Sequence, residues 1–175
     1  MSKLINYANR GMGLENDINI SNEYYLLENK AVIYKRPTPI QVTKVVYPQN
    51  KITEAYFKTP STTDYNGIYK GKYLDFEAKE IKSKTSFALS NIHIHQINHL
   101  RNIINHGGIG FIIVRFTTLG KTFLLPGNTL IDFISNEVKK SIPLSYFEEN
   151  GYLLKEKLRP RIDYLEVVDI LLEGK

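Results

Sequence analysis

From Asp64 to Lys79 the chain reads DYNGIYKGKYLDFEAK: an acid, twelve residues, Glu77, one residue, then Lys79. Two carboxylates and an ammonium at that spacing could run metal-dependent phosphodiester cleavage. The carboxylates would hold Mg²⁺, a hard ion that takes oxygen ligands and keeps several waters. Such an ion polarises a phosphate and lowers the pKa of a water. The ammonium could orient that water or stabilise the charge that builds on phosphorus. On a strand, Asp75, Glu77 and Lys79 share one face while Leu74, Phe76 and Ala78 share the other. The charged face could equally be the solvent-open side of an ordinary sheet. Asp64 precedes a turn-prone Asn66-Gly67 and could reach across a hairpin to that face. The D-x12-E-x-K pattern alone is loose and leaves both readings standing.

The elements that must position these residues follow from periodicity and punctuation. Residues 12–29 place Leu14, Ile18, Tyr25 and Leu26 at helical spacing, which predicts a first helix. AVIYKR is a short strand cut by Pro37 and Pro39, and PIQVTKVVYP and ITEAYFKTP are two more, each closed by a proline. They read as a hairpin arm standing out from the core. NGIY followed by KGKYLDFEAKEI predicts a hairpin that turns near Lys70-Gly71. SNIHIHQINHLRNIINHGG has a Ser or Asn start, a Gly stop and a stripe of Ile97, Leu100, Ile103 and Ile104, and reads as a helix. IGFIIVRF is apolar throughout, as in a strand covered on both faces. KTFLLPG is another strand and NTLIDFISNEVKK a surface helix, while the tail from Ile142 has no clear period. The order predicts an α/β domain, one mixed central sheet flanked by helices.

Composition narrows the classes. At 175 residues, 42% apolar and 23% charged, the chain has the make-up of one globular domain and not of a disordered segment. No apolar run approaches the ~20 residues of a membrane span, and no apolar signal region opens the chain. There is no cysteine, so disulfides and zinc–thiolate sites are excluded, and a reducing, cytoplasmic location is expected. From Lys30 to Pro60 stand Lys30, Lys35, Arg36, Lys44, Lys51 and Lys58 against Glu54 alone, an excess equal to the +5 of the whole chain. Tyr34, Tyr47, Tyr56 and Phe57 are interleaved with them. Cations for phosphates and ring faces for exposed bases are what a nucleic-acid surface needs, although a solvated strand pair with buried rings has the same composition.

NRGMGLE, KRPTPIQVTKV, AYFKTPSTTDYNGIYKGKYLDFEAKE and KTSFALSNIHIHQ closely resemble the RecU family of Holliday-junction resolvases, over about residues 8–135. The resemblance implies a Mg²⁺-dependent endonuclease (Mn²⁺ substituting) of the restriction-endonuclease-like, PD-(D/E)xK fold. It would act as a homodimer that nicks opposed strands of a four-way DNA junction in recombination and repair. It implies one nuclease domain over residues 1–175 with a projecting β-stalk inserted at about 36–60, where the basic arm lies. Position by position it implies metal ligands at Thr62, Asp64, Glu77 and Gln96, with Lys79 stabilising the transition state. Gln96 read from spacing alone is a polar residue on an amphipathic helix. Ala88 departs from the family, which often has proline there, and the tail after Ile142 matches little.

Other residues stay open at this level. Asp75 is either a solvated acid or a partner for Lys72. Glu15 either reaches the site through water or caps and solvates the first helix. Arg10, in Asn9-Arg10-Gly11, could meet a phosphate, as could Lys35, Arg36, Lys44, Lys51 and Lys58. His95 and His99 have the i, i+4 reach of a zinc site without an HExxH acid, so His93, His95, His99 and His106 read as helix-face or DNA-proximal. The competing functions are a branched-DNA-binding protein that does not cleave, and a restriction-type duplex endonuclease. The intact Asp64, Glu77 and Lys79 speak against the first, and the match along the arm against the second.

Overall fold

Strand β5 (Lys72–Ile81) is the axis on which the fold is built. The computed structural model describes residues 13–58, 62–136 and 139–174. On one side β5 pairs antiparallel with β4 (Tyr65–Tyr69), which pairs with the edge strand β1 (Ala31–Lys35). On the other it runs parallel to β7 (Ile109–Phe116), followed by β8 (Lys121–Pro126) and β10 (Tyr152–Leu154), both antiparallel. The result is a mixed six-stranded sheet in the order β1-β4-β5-β7-β8-β10. Helices α1 (Leu14–Leu27) and α5 (Leu165–Leu172) lie on one face, and α2 (Ile94–Asn105), α3 (Gly127–Asn136) and α4 (Leu144–Asn150) on the other. Ser86–Ala88 (β6) and Ser141–Pro143 (β9) form a small separate ladder. The expected mixed sheet flanked by helices is what the chain adopts. Among the described residues no helix is long and apolar enough to cross a membrane.

Residues Ile40–Val46 (β2) and Lys51–Phe57 (β3) pair with each other and with no strand of the main sheet. Every residue of β3 is exposed, including Tyr56 and Phe57. The rings of this arm are therefore not buried, contrary to the bland reading of its composition.

The β4–β5 connection is a two-residue turn with both residues at positive φ, Lys70 at 48° and Gly71 at 74°. That mirror-image turn matches the right-handed twist of the paired strands. Asn66 and Gly67, expected as a turn, sit instead inside β4 opposite Asp75 and Leu74. The reason is steric: a Cβ on Gly67 would stand 2.2 Å from the Val32 carbonyl oxygen and 2.6 Å from Ile33 Cα. This glycine admits the close approach of β1.

Behind β5, rings from three strands stack: Tyr65 on Phe76 at 4.9 Å and Phe76 on Phe111 at 4.6 Å, with Tyr164 tilted against Phe76 at 5.2 Å. The column fills the α1/α5 side of the sheet and fixes the register of the strands that carry the acids. Leu14, Ile18 and Tyr25 of α1 pack there as expected, but Leu26 is 49% exposed. The inward stripe is completed by the polar Asp17, Ser21 and Asn22, which receive the tail. Ser21 Oγ accepts from Ile162 N at 2.8 Å, Tyr164 donates to Asn22, and Arg161 Nε pairs with Asp17 at 3.2 Å. Arg115 of β7 joins them, 2.7 Å from Asp17 and 3.4 Å from Glu156. The aperiodic tail is thus held by buried polar contacts, which leave no hydrophobic period to read.

Helix α2 begins at Ile94, later than the expected Ser or Asn start, because Leu89–Asn91 forms a separate 3-10 turn. Gly107 stops it at φ 81°.

Candidate active site

Asp64 and Glu77 meet because the β4–β5 register places them together. Tyr65 pairs with Phe76, and continuing that ladder by one residue sets Asp64 opposite Glu77. With the ring pair facing α1, both acids project toward α2. This face was expected to be open to solvent, yet Asp75 and Glu77 are both 0% exposed. Helix α2 covers it, burying Ile97 and Leu100 against the sheet. Lys79, one strand step beyond Glu77, is 30% exposed at the rim.

The two buried acids differ in their surroundings. Asp75 is saturated: it accepts from Thr63 Oγ1, from Arg36 at 2.7 Å and from Tyr73 Oη at 3.2 Å, and lies 3.0 Å from His99 Nε2. It is neither a solvated acid nor a partner of Lys72. Glu77 has both oxygens buried without an aligned hydrogen bond, its Oε1 standing 2.5 Å from Lys79 Nζ as an ion pair. Burial, and next the Asp64 carboxylate beside it, push the Glu77 carboxyl from its ordinary 4.5 up to about 7, against the pull of Lys79. Asp64 uses Oδ2 to accept from Ala78 N at 3.2 Å. Its carbonyl accepts from Arg36 N at 2.7 Å, which extends the β1–β4 ladder by one rung. Thr62 Oγ1 is likewise buried with no hydrogen-bond partner.

Unpaired buried oxygens are costly, about 1–3 kcal/mol each and more when charged. Thr62 and Glu77 carry three such oxygens next to Asp64. A hard divalent cation would satisfy them, since every donor is oxygen and two residues are acids. The residues therefore fit a magnesium-type ion. Gln96 is buried on α2, but its Oε1 accepts from His93 N at 2.9 Å as part of the helix N-cap. A carbonyl oxygen has a second lone pair, and only that remains for an ion. Among the described residues no three His, Cys, Asp or Glu side chains gather as a metal cluster. The zinc reading of His95 and His99 also loses His99 to Asp75.

A cleft of about 470 Å³ opens beside Lys79, lined by Gly13, Glu15, Asn19 and Glu80. Glu15 lies in it with its carboxylate paired to Lys35, so Lys35 is engaged within the protein. Glu80, which sequence reasoning passed over, accepts from Leu14 N at 2.9 Å and caps α1, a favourable place for an acid at a helix N-terminus. Its position after Lys79 on β5 was the available signal. Arg36 is turned inward onto Asp75, whereas Lys44, Lys51 and Lys58 are exposed on or beside the arm. Arg10 lies outside the described residues.

Fold and site together define a class, a metal-dependent nuclease built on a mixed α/β sheet. Within it, the chain belongs to the RecU family: the family model described as Recombination protein U matches residues 9–170. The Holliday junction resolvase RecU of Geobacillus sp. is 53% identical over 94% of this chain and 85% of its own length. That of Lactococcus lactis is 52% identical over 97% and 82%. Among solved structures, Archaeoglobus fulgidus Hjc, a Holliday junction resolvase, aligns with a TM-score of 0.46 at 13% identity, covering 79% of this chain and 92% of that one. That likeness is too distant to add to the assignment.

Proposed function

We propose that this chain is a cytoplasmic, Mg²⁺-dependent endonuclease of the restriction-endonuclease-like class that resolves four-way DNA junctions by paired nicks in opposed strands. The observation that carries the reading is the set of buried, unpartnered oxygens of Thr62 and Glu77 beside Asp64 and Lys79. Asp64 and Glu77 would bind the ion through their carboxylates and Thr62 through its hydroxyl, with Gln96 contributing its remaining lone pair. When bound, Mg²⁺ (or Mn²⁺ in its place) supplies the Lewis acidity that phosphodiester hydrolysis needs. Lys79, at the rim, reaches substrate and stabilises the negative charge that develops at phosphorus.

The arm supplies the junction contact. Lys44, Lys51 and Lys58 offer phosphate contacts, and the exposed Tyr47, Tyr56 and Phe57 offer ring faces to unstacked bases. Opposed nicks need two sites related by a two-fold axis, so the working unit is a homodimer. The named activity of the relatives at about half identity supports the same substrate.

The decisive experiment incubates the purified protein with a four-way junction and with plain duplex, with and without Mg²⁺. Symmetric nicks in the junction alone, dependent on Mg²⁺, are expected. Junction binding without nicks would leave a branched-DNA-binding protein, and equal cutting of duplex would leave a restriction-type enzyme.

A further inference from the structure

Asp75 is the meeting point of every segment that carries a proposed metal ligand. Thr63, whose hydroxyl donates to Asp75 Oδ1, lies between Thr62 and Asp64. Asp75 itself is two residues before Glu77 on the same face of β5. His99, 3.0 Å from Asp75 Oδ2, is three residues after Gln96 on α2, on the same side of the helix. A fourth segment joins from the arm. Arg36, the first residue after β1 and the root of the β2–β3 hairpin, places its guanidinium 2.7 Å from Asp75 Oδ2. Its backbone N–H also donates to the Asp64 carbonyl at 2.7 Å.

A fully buried carboxylate is tolerated only when paired and hydrogen-bonded. With charge-assisted bonds from three other segments, Asp75 holds them in one arrangement, and losing any donor strands the others. Arg36 grips the Thr62–Asp64 segment twice, once through the ladder and once through Asp75 and Thr63. We propose that Asp75 and Arg36 form a clamp that positions the Thr62–Asp64 segment for ion binding and ties it to the root of the arm. Arg36 is then a positioning residue and not a phosphate contact. The proposal rests on the ion site described under Proposed function.

The test measures Mn²⁺ affinity without DNA, from the electron paramagnetic resonance signal of the free ion. Wild type is compared with Asp75→Asn, Arg36→Ala, Arg36→Lys and Thr63→Val. Melting temperature and junction affinity in EDTA are recorded for each. Thr63→Val and Arg36→Ala should weaken Mn²⁺ binding by about tenfold or more, the usual effect of residues that hold metal ligands. Their junction affinity in EDTA should change little, and Arg36→Lys should recover part of the loss. The Arg36→Ala/Asp75→Asn double variant should lose far less than the sum of its singles, because both ends of one contact are gone. Should Asp75→Asn fail to fold, Thr63→Val and Arg36→Ala carry the test. Unchanged Mn²⁺ affinity in those two overturns the clamp. So does an Arg36→Ala protein that loses junction affinity while keeping its Mn²⁺ affinity. A wild type that neither binds Mn²⁺ nor cuts junctions overturns the ion site and the clamp together. A wild type that does both, with variants unaffected, overturns the clamp alone.

Discussion

Asp64 and Glu77 face each other across the β4–β5 ladder, and the nearness of the first helps hold the second's carboxyl at about 7. Between the ordinary 4.5 and that value, the folded protein binds a proton that the unfolded chain releases. In this window stability must therefore fall as pH rises, and above about 7 the loss is complete. In EDTA the wild-type protein should lose on the order of 1–3 kcal/mol between pH 4.5 and 7.5 through this group. Thermal melts of wild type and Glu77→Gln across that range test it. The variant should lack this part of the slope.

Glu77→Gln should also separate stability from activity. At pH 8 without metal it replaces a desolvated charge by a neutral amide and should melt higher than wild type. In Mg²⁺ it should no longer cut, while junction binding persists because the arm is untouched. Asp64→Asn should lose cleavage in the same way. Normal nicking by either variant would show that these acids do not hold the ion.

Lys79→Ala should retain ion binding yet lose turnover by about 10²–10³, the usual effect of removing one donor to developing negative charge. Lys79 is also the cation that pulls the Glu77 carboxyl downward, so its removal should move the acid limb of the pH–rate profile upward. A variant with normal single-turnover rates would make the lysine structural.

Replacing Lys44 and Lys51 together by alanine should weaken junction binding and flatten its salt dependence. Two lost phosphate contacts reduce the slope of log K against log salt by about 1.8. Binding isotherms at several salt concentrations measure it, and an unchanged slope would place the phosphate contacts elsewhere.

Gly67→Ala should fail structurally. Its Cβ would meet backbone atoms of β1 at 2.2 and 2.6 Å, and backbone cannot step aside without unpairing the edge strand. A loss of more than about 3 kcal/mol by denaturant unfolding is expected. Since β1 leads into Arg36, the arm root should loosen with it.

The chain's own letters determined which residues share a face of β5, where the β4–β5 turn falls, and where positive charge and rings concentrate. Alternation, paired positive-φ turn residues and composition are local properties, and they survive without any knowledge of the fold. What alternation cannot say is whether a face is covered. Helix α2, whose amphipathic stripe was readable, decides that Asp75 and Glu77 are buried. Nor could spacing distinguish the two acids. Asp75 is satisfied by Arg36, Thr63 and His99, which lie 39, 12 and 24 residues away, whereas Glu77 is left with unpartnered oxygens. The same holds for Gln96, drawn partly into a helix cap, and for the tail, held by polar contacts to α1 and β7. Hydrogen-bond partners of buried groups are fixed by tertiary packing, so only the folded chain could separate the acid that organises the site from the acid poised to hold an ion.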